Sequence, residues 1–336
     1  MHKFCSFLKF FVIVAALFLV LFQPGAGVCA EKVFQVGITQ IAPHPALDSI
    51  RNGCIKALEE AGFVEGKNLK IEFINAQGDI SLTKTIADKF VAGKKDVIVT
   101  ITTPSSQAVS VAAKGTGIPV VFIAVTSPVL AGLVLDWEKP CSSGMRITGV
   151  SDFMPIKPQL DLIKQIVPNA KVLGIVCNFG DDSNTKSVNE MRRLAPEYGL
   201  KLVEANVSTS ADIQSAGASL AGRADVAWIP MCNTTVTGLE ALVSVAEEKK
   251  IPLFVPDHRS VDRGGIGALN FDNFLLGKLG GEKVVRILKG EDVCKIPVTT
   301  WPPEALKGYY VNPKAAERMG VSIPEAILKK SSIAEK

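Results

Sequence analysis

Three pairs of segments recur in the same order about 130 residues apart, and this repetition constrains the fold more than any other feature of the 336-residue chain. LKIEFINAQGDIS (69–81) resembles LKLVEANVSTSADIQ (200–214), DVIVTITTPSSQAV (96–109) resembles DVAWIPMCNTTVTG (225–238), and GIPVVFIAV (117–125) resembles KIPLFVPD (250–257). One such match would be chance, but three in register argue for two similar units. Each unit alternates short apolar runs with segments of helical length. The first set of candidate strands covers 33–39, 69–76, 96–102 and 119–125; the second covers 171–178, 200–207, 225–231, 252–257 and 265–271. In the first helical segment Leu47, Ile50, Cys54, Leu58 and Ala61 recur every three or four residues, which is one helix face. Near-continuous apolar strands separated by helices indicate parallel sheets covered on both faces. The expected fold class is α/β, with two Rossmann-like lobes. Lobe 1 is expected over 31–150, with part of 273–295 returning to it, and lobe 2 over 151–272, with part of 296–336. A third segment that crosses between the lobes would join them through several strands and so create a hinge.

The N-terminus has the form of a secretory leader. Lys3 and Lys9 precede an uncharged apolar run from Phe10 to Phe22 and the small-residue stretch ending in Val28-Cys29-Ala30. The run is shorter than the roughly 20 residues that span a bilayer. The expectation is a signal peptide over 1–30, cleavage before Glu31 and an exported, periplasmic protein; the alternative is a lipid anchor on Cys29. Two of the four net positive charges, Lys3 and Lys9, lie in the leader, so a mature chain near +2 offers no electrostatic case for nucleic acid. Of seven cysteines, Cys54, Cys141, Cys177, Cys232 and Cys294 remain after cleavage. An odd number leaves at least one unpaired, and a chain of this size can bury an adequate core without staples, so no disulfide framework is expected.

In open parallel sheets, ligands bind beyond the carboxyl ends of the strands. Here those ends are Gln40, Thr102 to Ser105 and Ala124 to Ser127 in the first unit, and Asn178, Cys232 to Thr234 and Asp257-His258 in the second. Most are uncharged hydrogen-bonding residues. Several begin helices, whose free N–H groups favour an anion such as a carboxylate. The competing role for Thr103, Ser183 and Thr234 is plain helix capping. Asp257 is the sharpest charged candidate, suited to a ligand ammonium group, with a helix cap or an Arg259 ion pair as its alternatives. Phe179 and Phe271 are candidate apolar walls, with core packing as the alternative. A Cys/His enzyme would pair Cys232 or Cys177 with His44 or His258, but no activating motif surrounds either cysteine. No Cys/His spacing fits zinc, and no strand is followed by a phosphate-binding glycine pattern. No catalytic residue, metal or cofactor is expected.

Several long segments in order, HPALDSIRNGCIKALEEAGFVEGKNLKIEFINAQGD, TTPSSQAV, IPVVFIAVTSPVLAGLV, TGVSD, CNTTVTGLEALV and RILKGED, resemble the ABC-transporter substrate-binding proteins of the TrpX-like group. The similarity runs from about Val33 to Val321. It implies a type I periplasmic-binding-protein fold with a three-stranded hinge, capture of a small amino-acid-like or carboxylate-bearing molecule, and delivery to a membrane permease driven by a separate ATPase. A monomer is expected, and the alternative role is a ligand-sensing module for a membrane signalling receptor. By motif, the resemblance implies ligand contacts at Gln40, Thr103, Pro104, Thr126, Asn178, Asn233, Thr234 and Asp257; Ser183 and Cys232 complete the expected site. The chain departs from the family's usual pattern in carrying Cys232 where an acidic residue precedes the Asn-Thr pair, and Thr126-Ser127-Pro128 where TDP is usual. The segment DWEKPCSSGMR (136–146) has no reading from sequence.

Overall fold

The computed structural model describes residues 32–302 and 305–334; the expected leader, with Cys5 and Cys29, lies outside the described residues. Two sheets organise the chain. The first is all-parallel and built from β1 (Phe34–Gln40), β2 (Leu69–Asn75), β3 (Val97–Ile101), β4 (Val120–Ile123) and β5 (Ile147–Val150), in the order β2-β1-β3-β4-β5. The second contains β6 (Val172–Cys177), β7 (Lys201–Asn206), β8 (Val226–Trp228), β9 (Leu253–Phe254), β10 (Gly267–Phe271), β11 (Leu306–Val311) and β12 (Ser331–Ile333), in the order β12-β11-β10-β9-β8-β6-β7. Strands β3 and β4 are buried along their whole length, as their unbroken apolar sequence requires. Each of the nine expected strands is present; β1 is shifted by one residue and the other eight are shorter than expected. Strand β5 and the pair β11 and β12 were not expected from sequence; β11 is the one antiparallel partner among the described strands, set against β10.

The helices follow the strands. They are α1 (Pro45–Glu60), α2 (Ile80–Ala92), α3 (Thr103–Ala113), α4 (Ile156–Ile166), α5 (Asp182–Leu194), α6 (Ile213–Ala218), α7 (Asn233–Thr237), α8 (Leu239–Lys249), α9 (His258–Asp262) and α10 (Asn273–Leu288). Pro45 opens α1, where its missing N–H costs nothing, and Leu47, Ile50, Cys54 and Leu58 form its buried face. Helix α10 leaves the second sheet after β10 and lies against α1 in the core of the first. Glycines permit this contact. A Cβ at Gly277 would overlap the carbonyl oxygen of Ile50, a Cβ at Gly53 would overlap that of Phe274, and a Cβ at Gly281 would lie 2.6 Å from the carbonyl oxygen of Cys54. The two backbones can approach this closely only without side chains in between.

The chain passes between the sheets three times: after β5, between β10 and α10, and between Trp301 and β11. The segment before the third passage, within the strand-like run IPVTTW, lies beside β5 and pairs with it at Val150 and Thr299. It is anchored firmly. The Thr148 hydroxyl donates to the Ile296 carbonyl at 2.6 Å, Lys283 Nζ donates to the Pro297 carbonyl at 2.6 Å, and the Val298 N–H donates to the Trp137 carbonyl at 2.7 Å. A disulfide joins Cys141 to Cys294 across 153 residues. No framework of bridges was expected, and among the described residues one bridge forms, because the returning segment brings Cys294 beside a cysteine far away in sequence. It also gives the 136–146 loop its place, as a clamp on the returning segment. Cys54, Cys177 and Cys232 are free and buried.

Candidate functional site

One cavity lies where the carboxyl ends of both sheets meet. The first sheet and α1 supply His44, Leu47, Ile50, Thr102, Ala124 and Thr126; the second side supplies Asp152, Ser183, Met231, Cys232, Asn233, Val236 and Asp257. A second cavity shares Asn233 with it and takes Pro104, Asn178, Asp181 and Thr234 into its lining.

The walls of the first cavity are apolar, with polar groups set into them. Thr102 and Ala124 follow β3 and β4 with φ of 81° and 59°, although neither is glycine. A β-branched residue rarely adopts that region, and such strain persists only where the surroundings enforce it, often at binding sites. Among the residues that line it, buried polar atoms without a partner within the protein are the hydroxyls of Thr102 and Ser183 and both ring nitrogens of His44; Thr103, Ser105 and Asn184 carry further such atoms close by in sequence. Buried polar groups are nearly always hydrogen-bonded, so this concentration marks a place built to be completed by a ligand. Burial pushes the His44 pKa down, against the pull of the Asp257 carboxylate, which leaves a neutral ring beside Asp257 and Asn233.

The two acids differ. Asp257 accepts the Ser260 N–H at 2.9 Å and so caps α9 while lining the cavity; the cap offered as its alternative role is present together with the exposure to the cavity. Asp152 is 4% exposed and accepts the Thr126 hydroxyl at 2.8 Å; burial pushes its pKa up to about 6. Asp152 and His44 are the polar cavity residues that the sequence did not single out for ligand contact. Their only signals were TGVSD as a family segment and a histidine just ahead of a helix.

The remaining expected residues fall out as follows. Gln40 lines neither cavity; its amide nitrogen donates to the Ala42 carbonyl at 3.0 Å and to Asp48 at 3.1 Å, so it shapes the turn that carries His44. Thr103 is buried and lines neither cavity. Capping does not account for Thr103, Ser183 or Thr234: α3 has no side-chain cap, α5 is capped by Asp181, and α7 begins after Cys232 with no side-chain cap. Asn178 accepts the Gly180 N–H through its side chain, and its own N–H donates to the Cys232 sulfur at 3.2 Å. Phe271 packs on Trp301 in the first core, and Phe179 lies against the second, so neither is a cavity wall. Leu47, Ile50, Met231 and Val236 take that role. Cys232 is fully buried and its sulfur also accepts the Thr235 hydroxyl at 3.2 Å; burial raises its pKa, and no hydrogen bond joins it to His44. A protonated, hydrogen-bonded thiol is a wall, not a nucleophile.

Residues 35–334 match the family described as ABC transporter substrate binding protein. The chain belongs to this substrate-binding family. This substrate-binding protein is 40% identical over 271 residues to a tyrosine-binding protein of Clostridioides difficile strain R20291, covering 81% of this chain and 77% of the relative. Among solved structures it is similar to an ABC domain from Streptococcus pneumonia in complex with L-Trp, with TM-score 0.84, 32% identity and coverage of 90% and 100% of the two chains. It is also similar to a ligand-free, open substrate-binding protein with adhesive properties from Clostridium difficile, with TM-score 0.67, 36% identity and the same coverage. The fold of this substrate-binding protein is that of the type I periplasmic binding proteins.

Proposed function

We propose that the protein is the exported receptor of an ABC importer, that it captures a small amino acid with an aromatic side chain by closing two lobes on it, and that it hands the ligand to a membrane permease powered by a separate ATPase. The observation that carries this reading is the convergence of unpartnered buried polar atoms from both sides on one apolar-walled cavity. Ligands in relatives support the class, since one is named for tyrosine and another was solved with L-Trp. Fit to the solved structures supports closure. The L-Trp complex and the ligand-free open protein have similar identities to this chain, yet TM-scores of 0.84 and 0.67. Sequence divergence does not explain that gap, whereas a changed angle between lobes does. Contact between the sides is in keeping with a closed form: Gln107 on α3 donates to Asp182 on α5 at 3.0 Å. A ligand shifts this equilibrium only through contacts that differ between the two forms.

The test is a thermal-shift and calorimetric screen of the mature protein with L-tyrosine, L-tryptophan and other amino acids. A ligand at 100 times its Kd adds about 2.7 kcal/mol of stability. Small-angle scattering should show compaction on binding. If no amino acid shifts the melting temperature, the ligand class is wrong; a shift without compaction removes hinge closure.

A further inference from the structure

Asp152 is the least compensated charge in the cavity. It sits on the first passage between the sheets, just after β5, with one neutral hydrogen-bond partner, Thr126. The cation whose charge reaches it, Lys186 on α5, makes no hydrogen bond to it and lies 3.8 Å over the Phe153 ring, with its pKa pushed down by burial. No lysine or arginine lines the cavity. Asp257 is different, because it caps a helix and its charge acts on the neighbouring His44 ring. The cavity therefore has two polar poles, His44–Asp257–Asn233 and Thr126–Asp152, with Leu47, Ile50 and Val236 also in its wall. A buried carboxylate held only by a hydroxyl is costly until a cation joins it.

We propose that Asp152, not Asp257, is the residue that binds the ligand's ammonium group. The assignment rests on the amino-acid reading above. An ammonium group beside Asp152 forms a charge-assisted hydrogen bond and keeps the carboxylate ionised. Because the free carboxyl is partly protonated near pH 6, binding there releases a proton. Affinity is then full well above pH 6 and falls as the pH drops through it. Other titratable groups facing this region are Lys186 from α5, and His44 and Asp257 across the cavity.

The experiment is titration calorimetry with L-tyrosine or L-tryptophan, whichever binds, alongside its desamino analogue. Asp152→Asn should weaken the amino acid by about 10- to 100-fold while binding the desamino analogue at least as well as the wild type does. Equal affinity of wild type and variant for the amino acid, or equal losses for both ligands, overturns the proposal. A second readout uses the wild type alone: at pH 6, in two buffers of different ionisation enthalpy, net proton release should accompany binding of the amino acid but not of the desamino analogue. This measurement decides the matter if Asp152→Asn does not fold. Release that persists in a folded Asp152→Asn protein assigns the proton to another group, His44 being the nearest candidate, and overturns the proposal. If neither aromatic amino acid binds the wild type, the functional reading falls by itself; the comparison then runs with any amine that shifts the melting temperature, and the absence of any such amine overturns both.

Discussion

At the scale of single residues, strain and burial make separable predictions. Thr102 holds φ near 81°, a conformation that glycine adopts without cost. Thr102→Gly should therefore raise the stability of the ligand-free protein by about 1 kcal/mol, read from urea midpoints. It should also weaken ligand binding, because an unpartnered cavity hydroxyl is lost. For Asp152 the sign follows from its folded pKa of about 6, above the ordinary 3.8. A raised folded pKa contributes stability that is complete below 3.8 and lost as pH rises through about 6. Without ligand, Asp152→Asn should thus melt higher than wild type at pH 8, with the gap closing by pH 4. His44, lowered by burial, runs the opposite way: its contribution is present above pH 6.5 and declines as the solution becomes more acidic. Equal melting differences at pH 4 and pH 8 would contradict the Asp152 assignment.

At the scale of elements, the α1–α10 contact is the most sensitive joint. Gly277→Ala would force a Cβ into the Ile50 carbonyl, which is backbone and cannot rotate away. The expected loss is about 2–3 kcal/mol in urea unfolding. Ligand affinity should fall too, because α1 carries Leu47 and Ile50 into the cavity. This scale was also the most legible in the sequence. Runs such as VIVTI and VVFI are apolar but for Thr100 and read as buried strands, and the α1 periodicity marked its inner face. Strand β11, Leu306–Val311, escaped notice because LKGYYV mixes Lys, Gly and Tyr and is half exposed, as befits a strand near the sheet's edge. The site was less legible than the fold. Residues at strand ends such as Thr126, Cys232 and Asp257 could be named from the strand rule alone, and all three line the cavity. Gln40 follows the same rule yet is consumed by Ala42 and Asp48, a choice made by side-chain geometry that no spacing encodes. Asp152 and His44 enter through the packing of distant segments, which leaves no local trace.

At the scale of the whole molecule, two contacts couple distant parts. The Cys141–Cys294 bridge closes a very long loop, and its removal by Cys141→Ser with Cys294→Ser should cost about 2–4 kcal/mol. The same drop should follow reduction of the wild type with dithiothreitol, and no drop in either case would show the clamp to rest on Lys283, Thr148 and Trp137 alone. Gln107 holds the Ala131 carbonyl on its own side and Asp182 on the other. Gln107→Ala should weaken ligand several-fold, with little change in ligand-free stability, since an exposed hydrogen bond contributes about 1 kcal/mol and only in the form where both sides meet. The last consequence belongs to α10. Its residues Leu276, Val284 and Leu288 complete the core that surrounds β1 to β5, together with Val298 and Trp301 from the returning segment. The half of the protein that a ribosome makes first is therefore the half that must wait. Its interior lacks five of its buried side chains until about residue 300 has been synthesised, so the order in which the chain is made and the order in which it can close are opposed.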